Sequence, residues 1–450
     1  ADFIDSTPME SILTVPAVWS DKAKNDTLQC AVKAGFGDVN KIRLIAEPEA
    51  AAVYTFHQLP EFSVQRGHVF ITVDAGGGTV DLTTYQVHET KPTLRVDEII
   101  IGDGGLCGSV YLNRRFEDIV KLKIGDELGK LSRVKALEAL DDIQRVFNDD
   151  VKPNFGVSDD EKKEYEVPVP AEIEDSGNLG IRDGKLVIST AEMKDVFDPV
   201  ISFIVQLIIG QLERIDAAPG HLKVAAILLV GGFGSSEYLR KYIENHFSGE
   251  DGMPAIKVIQ PVNAWSAVTR GAMLRGIQGD IVETRIIRHH YGVVARTPWN
   301  VDIHEKGDKR RQAEQNKYFD ATEQKLFCDN VMTWYVKKGD KFSSKRIITF
   351  DFYRAITNLN NLVFSTNLVV YTGRGDEAPY FVDSDCRTVA TLSSDLSSIP
   401  HSQFDVVNSG NGDWYKVSYD IEMTFETTIN FRLKFKGKVM GECLGVEYKG

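Results

Sequence analysis

The sequence predicts an α/β core followed by an antiparallel β-rich C-terminal domain, and three features predict it. Up to about residue 279, short apolar strands alternate with amphipathic helical stretches. Two of those strands are joined by three consecutive glycines set between aspartates, DAGGGTVD at 74–81. From residue 280 the helical periodicity gives way to alternating β-branched and aromatic runs such as ITFDFY, NLVVYTG and YDIEMTFETTINFRLKF. Domains are therefore expected at 1–279 and 280–450, the second a possible sandwich, with about 107–190 forming a subdomain excursion from the first.

Taken in order, Ser11 to Val15 reads as a strand, and Ser20 caps an amphipathic helix from Asp21 to Ala34 that Gly35 and Gly37 end. Ile42 to Ile45 is a short strand. Glu47-Pro48 opens a second helix, proline suiting a first turn, and its alanine-rich stretch lets another helix approach closely. Val69 to Asp74 is a strand, and VDLTTYQV from Val80 is β-branched and reads as its partner. Leu94 to Ile101 is a third strand, running into GDGGLCGS and a helix near Val110 to Lys123. A helix from Val134 to Phe147 carries Asp141, Gln144, Arg145 and Asn148 on its last turns. Asp149 to Gly184 is polar and bears Pro and Gly, as an excursion would. Ser189 and Glu192 form a capping box for the most regular helix, with Met193, Val196, Phe197, Val200, Ile204, Ile208 and Leu212 at three-four spacing. Ala225 to Val230 is a buried strand, followed by GGFGSS and a helix from Glu237 to His246. The last helix, Ala264 to Gly276, again carries small residues at Ala267, Gly271 and Ala272.

Composition bounds the function. With 42% hydrophobic and 26% charged residues the chain is an ordinary globular one, and its net charge of −13 argues against coating nucleic acid or an anionic membrane. Cys30, Cys107, Cys328, Cys386 and Cys443 are far apart with no CxxC pair, which fits neither a zinc knuckle nor a disulfide scaffold and points to a reducing, cytoplasmic setting. The longest apolar run, Val200 to Ile209, is about half of the ~20 residues a bilayer requires. His289-His290 read as structural, since neighbouring side chains in a strand point to opposite faces.

DAGGGTVD carries the chemistry. Gly76, Gly77 and Gly78 can turn consecutive N–H groups inward as a nest for phosphate oxygens, and Thr79 adds a hydroxyl. Asp74, at the tip of a buried strand, is placed to hold water on Mg²⁺. A plain tight hairpin needs fewer glycines and no flanking aspartates. Two other phosphate loops are excluded: no GxxxxGK[ST] is present, and a strand rather than a helix follows the glycines, unlike a dinucleotide fingerprint.

The succession LTVPAVW (13–19), IAEPEAAAVY (45–54), ITVDAGGGTVDL (71–82), GDGGLCGS (102–109), LLVGGFGSSEYL (228–239) and AVTRGAML (267–274) resembles the heat-shock 70 kDa protein family, in a divergent branch without the usual peptide-binding lid. The resemblance covers about Ser11 to Gly276 and implies a ribonuclease H-like, actin-type ATPase core binding ATP or ADP with Mg²⁺. It implies that Gly76, Gly77, Gly78 and Thr79 hold the β and γ phosphates, and that Asp74 and Glu47 position Mg²⁺-bound water, with Glu47 also orienting the attacking water. Gly108 would close over the phosphates, although Cys107 stands where the family usually has Gly. Gly231, Gly232, Phe233 and Ser235 would contact adenosine, and Asp141, Gln144, Arg145 and Asn148 would line the adenine side, with Gln144 in place of a usual Lys. The family's first phosphate loop and catalytic lysine have no counterpart here, and the chain begins on Ala1, so it reads as a piece of a longer ATPase with an incomplete first lobe. The expectation is an ATP-binding, chaperone-like protein whose β domain takes client or partner proteins. The alternatives are a nucleotide-sensing scaffold that does not hydrolyse productively, and a sugar-kinase-like enzyme.

Overall fold

A computed structural model describes residues 9–60, 64–158, 163–220, 222–249, 255–343, 346–373, 375, 377–409, 412–425, 427–441 and 444–449. Cys443 lies outside them, and the other four cysteines are free thiols. The chain opens with Ser11–Val15 (β1), Asp21–Lys33 (α1), Ile42–Ala46 (β2) and Glu47–Gln58 (α2). Ser20 caps α1 by accepting from the Ala23 amide, and at the other end Gly35 takes φ +84°.

The chain divides into two compact units. One comprises residues 12–18 and 45–282, the other 1–11, 19–44 and 283–450.

The first unit is built on a mixed sheet ordered β10-β9-β3-β4-β5. Its strands are Val69–Ala75 (β3), Val80–Glu89 (β4), Arg95–Gly105 (β5), Val224–Val230 (β9) and Lys257–Ile259 (β10). β3 pairs antiparallel with β4 and parallel with β9, so the three strands of the first hairpins turn into a parallel edge. β3 is buried along its whole length, in keeping with a sequence, VFITVDA, whose polar residues are Thr72 and Asp74 alone.

Alternate residues serve two cores. Val69, Ile71 and Val73 join the cluster under Val110–Lys130 (α3), Arg133–Val146 (α4) and Thr190–Ala217 (α5), whereas Phe70 packs with Ala52, Val53 and Phe56 of α2. Between α4 and α5 a π-turn (Phe147–Val151) leads to a three-stranded sheet of Glu164–Pro168 (β6), Ile181–Arg182 (β7) and Lys185–Ser189 (β8), ordered β6-β8-β7. The excursion read as polar loop is thus partly ordered strand.

The capping box of α5 forms as its sequence predicts: Ser189 accepts from the Glu192 amide while the Glu192 carboxylate accepts from the Ser189 amide. Ser189→Ala is expected to lower stability by about 1 kcal/mol, read as a lower urea midpoint with an unchanged m-value. This helix is longer than its apolar stretch suggested. It is the one described helix long and apolar enough by length and composition to cross a membrane, and here Met193, Phe197, Ile204 and Ile208 are buried in the core. After β9 come a 3₁₀ turn at Phe233–Ser235, Glu237–His246 (α6) and Ala267–Gln278 (α7). The small residues of α2 and α7 do permit close approach: a Cβ on Gly271 would lie 1.7 Å from the Ala50 carbonyl oxygen.

The second unit is β-rich. A six-stranded sheet is formed by His290–Pro298 (β11), Lys317–Asp320 (β12), Lys325–Val336 (β13), Val363–Tyr371 (β15), Cys386–Asp395 (β16) and Leu444–Tyr448 (β19), in the order β12-β13-β11-β15-β16-β19. A second antiparallel sheet is centred on Gly412–Phe425 (β17), with Ile347–Ile356 (β14) on one side and Ile429–Phe435 (β18) on the other. Inward side chains of both sheets (Leu368, Val370 and Leu392 from one; Phe350, Tyr419 and Ile421 from the other) share a single core, the arrangement of a sandwich. Residues 19–44 belong to this unit through specific contacts: the Tyr291 hydroxyl donates to Asp21 Oδ2 at 3.2 Å and the Thr427 hydroxyl to the Leu44 carbonyl at 2.8 Å. His290, expected to be structural, is buried between the rings of Trp334 and Tyr371.

Candidate functional site

Alternation along β3 and β4 decides which way the aspartates face. Asp74 shares its face with Phe70, and Asp81 with Tyr85, so both lie on the α2 side of the sheet; they are also direct cross-strand partners. Glu47 is the first residue of α2. The helix does not use it as a cap: the capping position is Ala46, with no side-chain bond. The three carboxyls feel one another. Burial, then Glu47 and Asp81, push Asp74 up to about 7, and burial, then Asp81, raise Glu47. Like charges gathered in a desolvated corner favour either protons or a cation.

Asp81 is the residue that sequence reasoning passed over. Its signal was present: Asp74 and Asp81 flank a two-strand turn at positions that pair directly. Among the described residues no three His, Cys, Asp or Glu side chains converge tightly enough to ligate one ion directly. The carboxylates therefore fit a cation that keeps its water shell, as Mg²⁺ does.

The glycines form the turn of the hairpin, closed by the Gly76 amide donating to the Thr79 carbonyl at 2.9 Å. The helix that follows fixes which way their peptides point. The amides of Ser109, Val110 and Gly108 donate to the carbonyls of Gly76, Gly77 and Gly78 at 3.1, 2.9 and 3.2 Å. In a trans peptide the N–H lies opposite the C=O, so the amides of Gly77, Gly78 and Thr79 are all turned away from α3. Three consecutive donors on one side make a nest suited to an anion. The same docking explains Gly108. A Cβ there would lie 2.4 Å from the Gly77 oxygen, so Gly108 sits on the carbonyl side of the turn, against the turn's own backbone. Cys107 is buried next to it, its thiol pushed up to about 12 by burial and then by Asp81.

Gly231 closes the corner from β9. It takes φ +94°, and a Cβ would lie 2.5 Å from Asp74 Oδ1 and 2.4 Å from the Ala75 oxygen. A Cβ on Gly232 meets no atom within 4 Å. The Ser235 hydroxyl donates to the Gly232 carbonyl, and Phe233 is buried in the core, so this turn offers backbone rather than the phenyl ring. The structure thus brings together Glu47, Asp74, Asp81, Gly76–Thr79 and Gly231.

On α4 the candidates are distributed differently. Asp141 and Arg145 are exposed, and Arg145 pairs with Asp142 at 2.6 Å, the solvated face such a residue usually occupies. Gln144 donates to the Asn113 carbonyl, and its buried Oε1 has no partner among the described residues. Asn148 donates to the Gln144 carbonyl and accepts from Lys152, which also reaches Asn113.

The site thus sits on a sheet with two parallel and two antiparallel pairings, with a glycine turn anchored on a helix and carboxyls at the strand tips. The profile of the Hsp70 protein family matches residues 2–328. The chain belongs to the Hsp70 family. Its mixed α/β unit is the family's actin-like ATPase fold, accompanied by a β-rich C-terminal region. Heat shock 70 kDa protein 12A of Homo sapiens is 21% identical over 87% of this chain and 65% of that protein, and heat shock 70 kDa protein 12B of Homo sapiens is 24% identical over 63% and 50%. Chaperone protein DnaK of Thermoplasma volcanium is 25% identical over 62% of this chain and 42% of that protein. The match to each Hsp70 relative therefore spans less than two thirds of its length, and the chain sits in a divergent branch of the family.

Proposed function

We propose that the corner formed by Glu47, Asp74, Asp81, the glycine turn and Gly231 binds the phosphates of Mg-ATP or Mg-ADP, and that the full-length protein couples nucleotide turnover to a protein partner held by its β-rich unit. The orientation of the Gly77, Gly78 and Thr79 amides carries this reading, because it presents three donors beside three carboxyls. The amides would hold phosphate oxygens, and the carboxylates would hold the water shell of Mg²⁺, which supplies charge neutralisation between them. Glu47 would accept hydrogen bonds from that water or from an attacking one. Gly232 and Ser235 would meet the nucleoside through backbone and hydroxyl, and the α4 residues Asp141, Gln144, Arg145 and Asn148 would approach it from the other side. A chaperone activity of the DnaK type is one form of this coupling. Binding without turnover is the other, and release of phosphate by the full-length protein separates the two.

Gly77→Val tests the site cleanly. A Cβ at Gly77 meets nothing within 4 Å and its φ is outside the left-handed region, so the variant folds. The branched side chain would stand beside the amides and weaken Mg-ATP binding at least ~10-fold by calorimetry. An unchanged affinity would remove the glycine turn from the site.

A further inference from the structure

Between β11 and β12 of the second unit the chain leaves the six-stranded sheet for residues 299–316, a run of short helical turns at Val301–His304, Gly307–Lys309 and Arg310–Gln315. Both ends are fastened to β13. The Trp299 amide donates to the Leu326 carbonyl at 2.8 Å, and the Asn316 carbonyl accepts from the Asp329 amide at 2.9 Å. Between these ends the segment buries little. From 300 to 315 His304 and Ala313 alone are buried, and Val301 and Ile303 are exposed. Ala313 packs with Cys328, Val331 and Phe381, and Trp299 and Tyr380 border the same cluster. A segment with so few buried apolar groups has little local stability of its own, so its hold on the sheet depends on polar contacts.

His304 makes those contacts. It is 1% exposed, and both of its ring nitrogens are engaged. The Asn300 amide donates to Nδ1 at 2.9 Å, so Nδ1 is the bare nitrogen of a neutral ring and Nε2 carries the proton. Nε2 then donates to the Tyr380 hydroxyl at 3.0 Å. Tyr380 is itself fixed to β13, its carbonyl accepting from the Met332 amide at 2.8 Å. A second proton has one place to go, Nδ1, where it would face the Asn300 N–H donor to donor. The surrounding charges do not offset this. Asp302 pairs with Lys306 at 2.5 Å, Glu305 accepts from the Trp299 indole at 3.1 Å, and Glu314 pairs with Lys317 at 3.4 Å. Asp308, Arg310, Arg311, Asp329 and Asp383 are exposed. Lys309 and Lys317 lie over the rings of Tyr380 and Trp299 at 4.3 and 3.9 Å. Burial, then Lys309, hold His304 below its ordinary 6.5. The closed arrangement belongs to the neutral ring: its stability is fully present above about pH 6.5 and is lost as the pH falls through the lowered value.

We propose that residues 299–316 form a pH-released strap: neutral His304 latches them over Cys328, Val331 and Phe381, and its protonation frees them and uncovers that apolar cluster. The latch is read whether or not the chain binds nucleotide. Hydrogen exchange of the full chain at pH 8.0 and pH 6.0, followed by mass spectrometry, tests it, with each rate divided by the intrinsic rate at the same pH. Protection across 300–316 should fall about 3–4-fold at pH 6.0, the ratio set by a histidine that titrates near 6.5 once released, while β14 and β17 keep theirs. His304→Gln removes the titrating group and should abolish the difference. The readout is the ratio between the two pH values, so a variant whose strap is looser at both still reports. Equal protection of the parent at both pH values overturns the proposal, and so does a fall that survives in His304→Gln. A fall shared equally by β14 and β17 also overturns it, by making the change a loosening of the whole sandwich.

Discussion

Gly271→Ala is expected to destabilise the first unit severely, although it adds a single methyl group. That methyl would lie 1.7 Å from the Ala50 oxygen and 2.4 Å from the Ala50 carbonyl carbon, both backbone atoms that no rotamer change can move aside. Helices α2 and α7 would have to separate, exposing Ala51, Tyr54 and Ala267 and straining the contacts of Glu49 and Arg275 between the same helices. Overpacking costs about 1–3 kcal/mol, and a clash with fixed backbone places this change at or above the top of that range, a large part of the ~5–15 kcal/mol that holds a domain together. Gly210→Ala is the internal comparison. Gly210 lies inside α5, and the nearest atom to its Cβ would be the Arg214 guanidinium at 4.0 Å, so the same change should stabilise by about 0.5–1 kcal/mol. Urea denaturation of the two variants should move the midpoint in opposite directions. Equal behaviour would mean that the two helices are not in contact at Gly271.

Asp74→Asn should have the second largest effect, and its sign depends on pH. Burial and two neighbouring carboxyls raise Asp74 from its ordinary 3.8 to about 7, so the folded chain binds more protons than the unfolded one between these values. Stability from this group is therefore fully present below about pH 4 and is lost as the pH rises through 7. Glu47, raised for similar reasons, adds in the same direction. Asparagine keeps the shape and removes the charge. The variant should match the parent near pH 4.5 and exceed it at pH 8, by on the order of 2–4 kcal/mol if no ligand binds. Thermal unfolding at the two pH values reads this out. With Mg-nucleotide the order should reverse, because a cation stabilises the ionised carboxyls of the parent and the variant has one fewer. A variant equally stable at both pH values relative to the parent would show that neither burial nor the neighbouring carboxyls raise Asp74 in the folded chain.

The parts of the molecule governed by local rules were legible from residue order. Ser20 and Ser189 cap their helices because a hydroxyl at that position has amides to accept from. The strand after the glycines was readable from VDLTTYQV, and the small residues of α2 and α7 announced a close contact. What escaped was decided by distant partners. Gly108 belongs to a loop that looked suited to covering a ligand, yet its place is set by the Gly77 backbone. Phe233, in a turn full of glycines, looked free to meet a base and instead fills the core beneath α6. Asp81 gains its meaning from pairing across the hairpin. Residues 19–44 read as part of the first unit, but the hydroxyls of Tyr291 and Thr427, hundreds of positions away, hold them to the second. Periodicity carries no trace of such contacts.

Ser109, at the capping position of α3, makes no side-chain cap; its helix is capped by the three glycine carbonyls instead. Each of those peptides offers its carbonyl to α3 and its amide to the opposite side, so an anion drawing on the amides also polarises the carbonyls and strengthens the bonds that start the helix. Occupancy at the turn and fraying of α3 are then two readings of one quantity. Helix α3 leads into α4 and the excursion that follows, so it is the stretch of chain whose rigidity an anion at the turn would reach first.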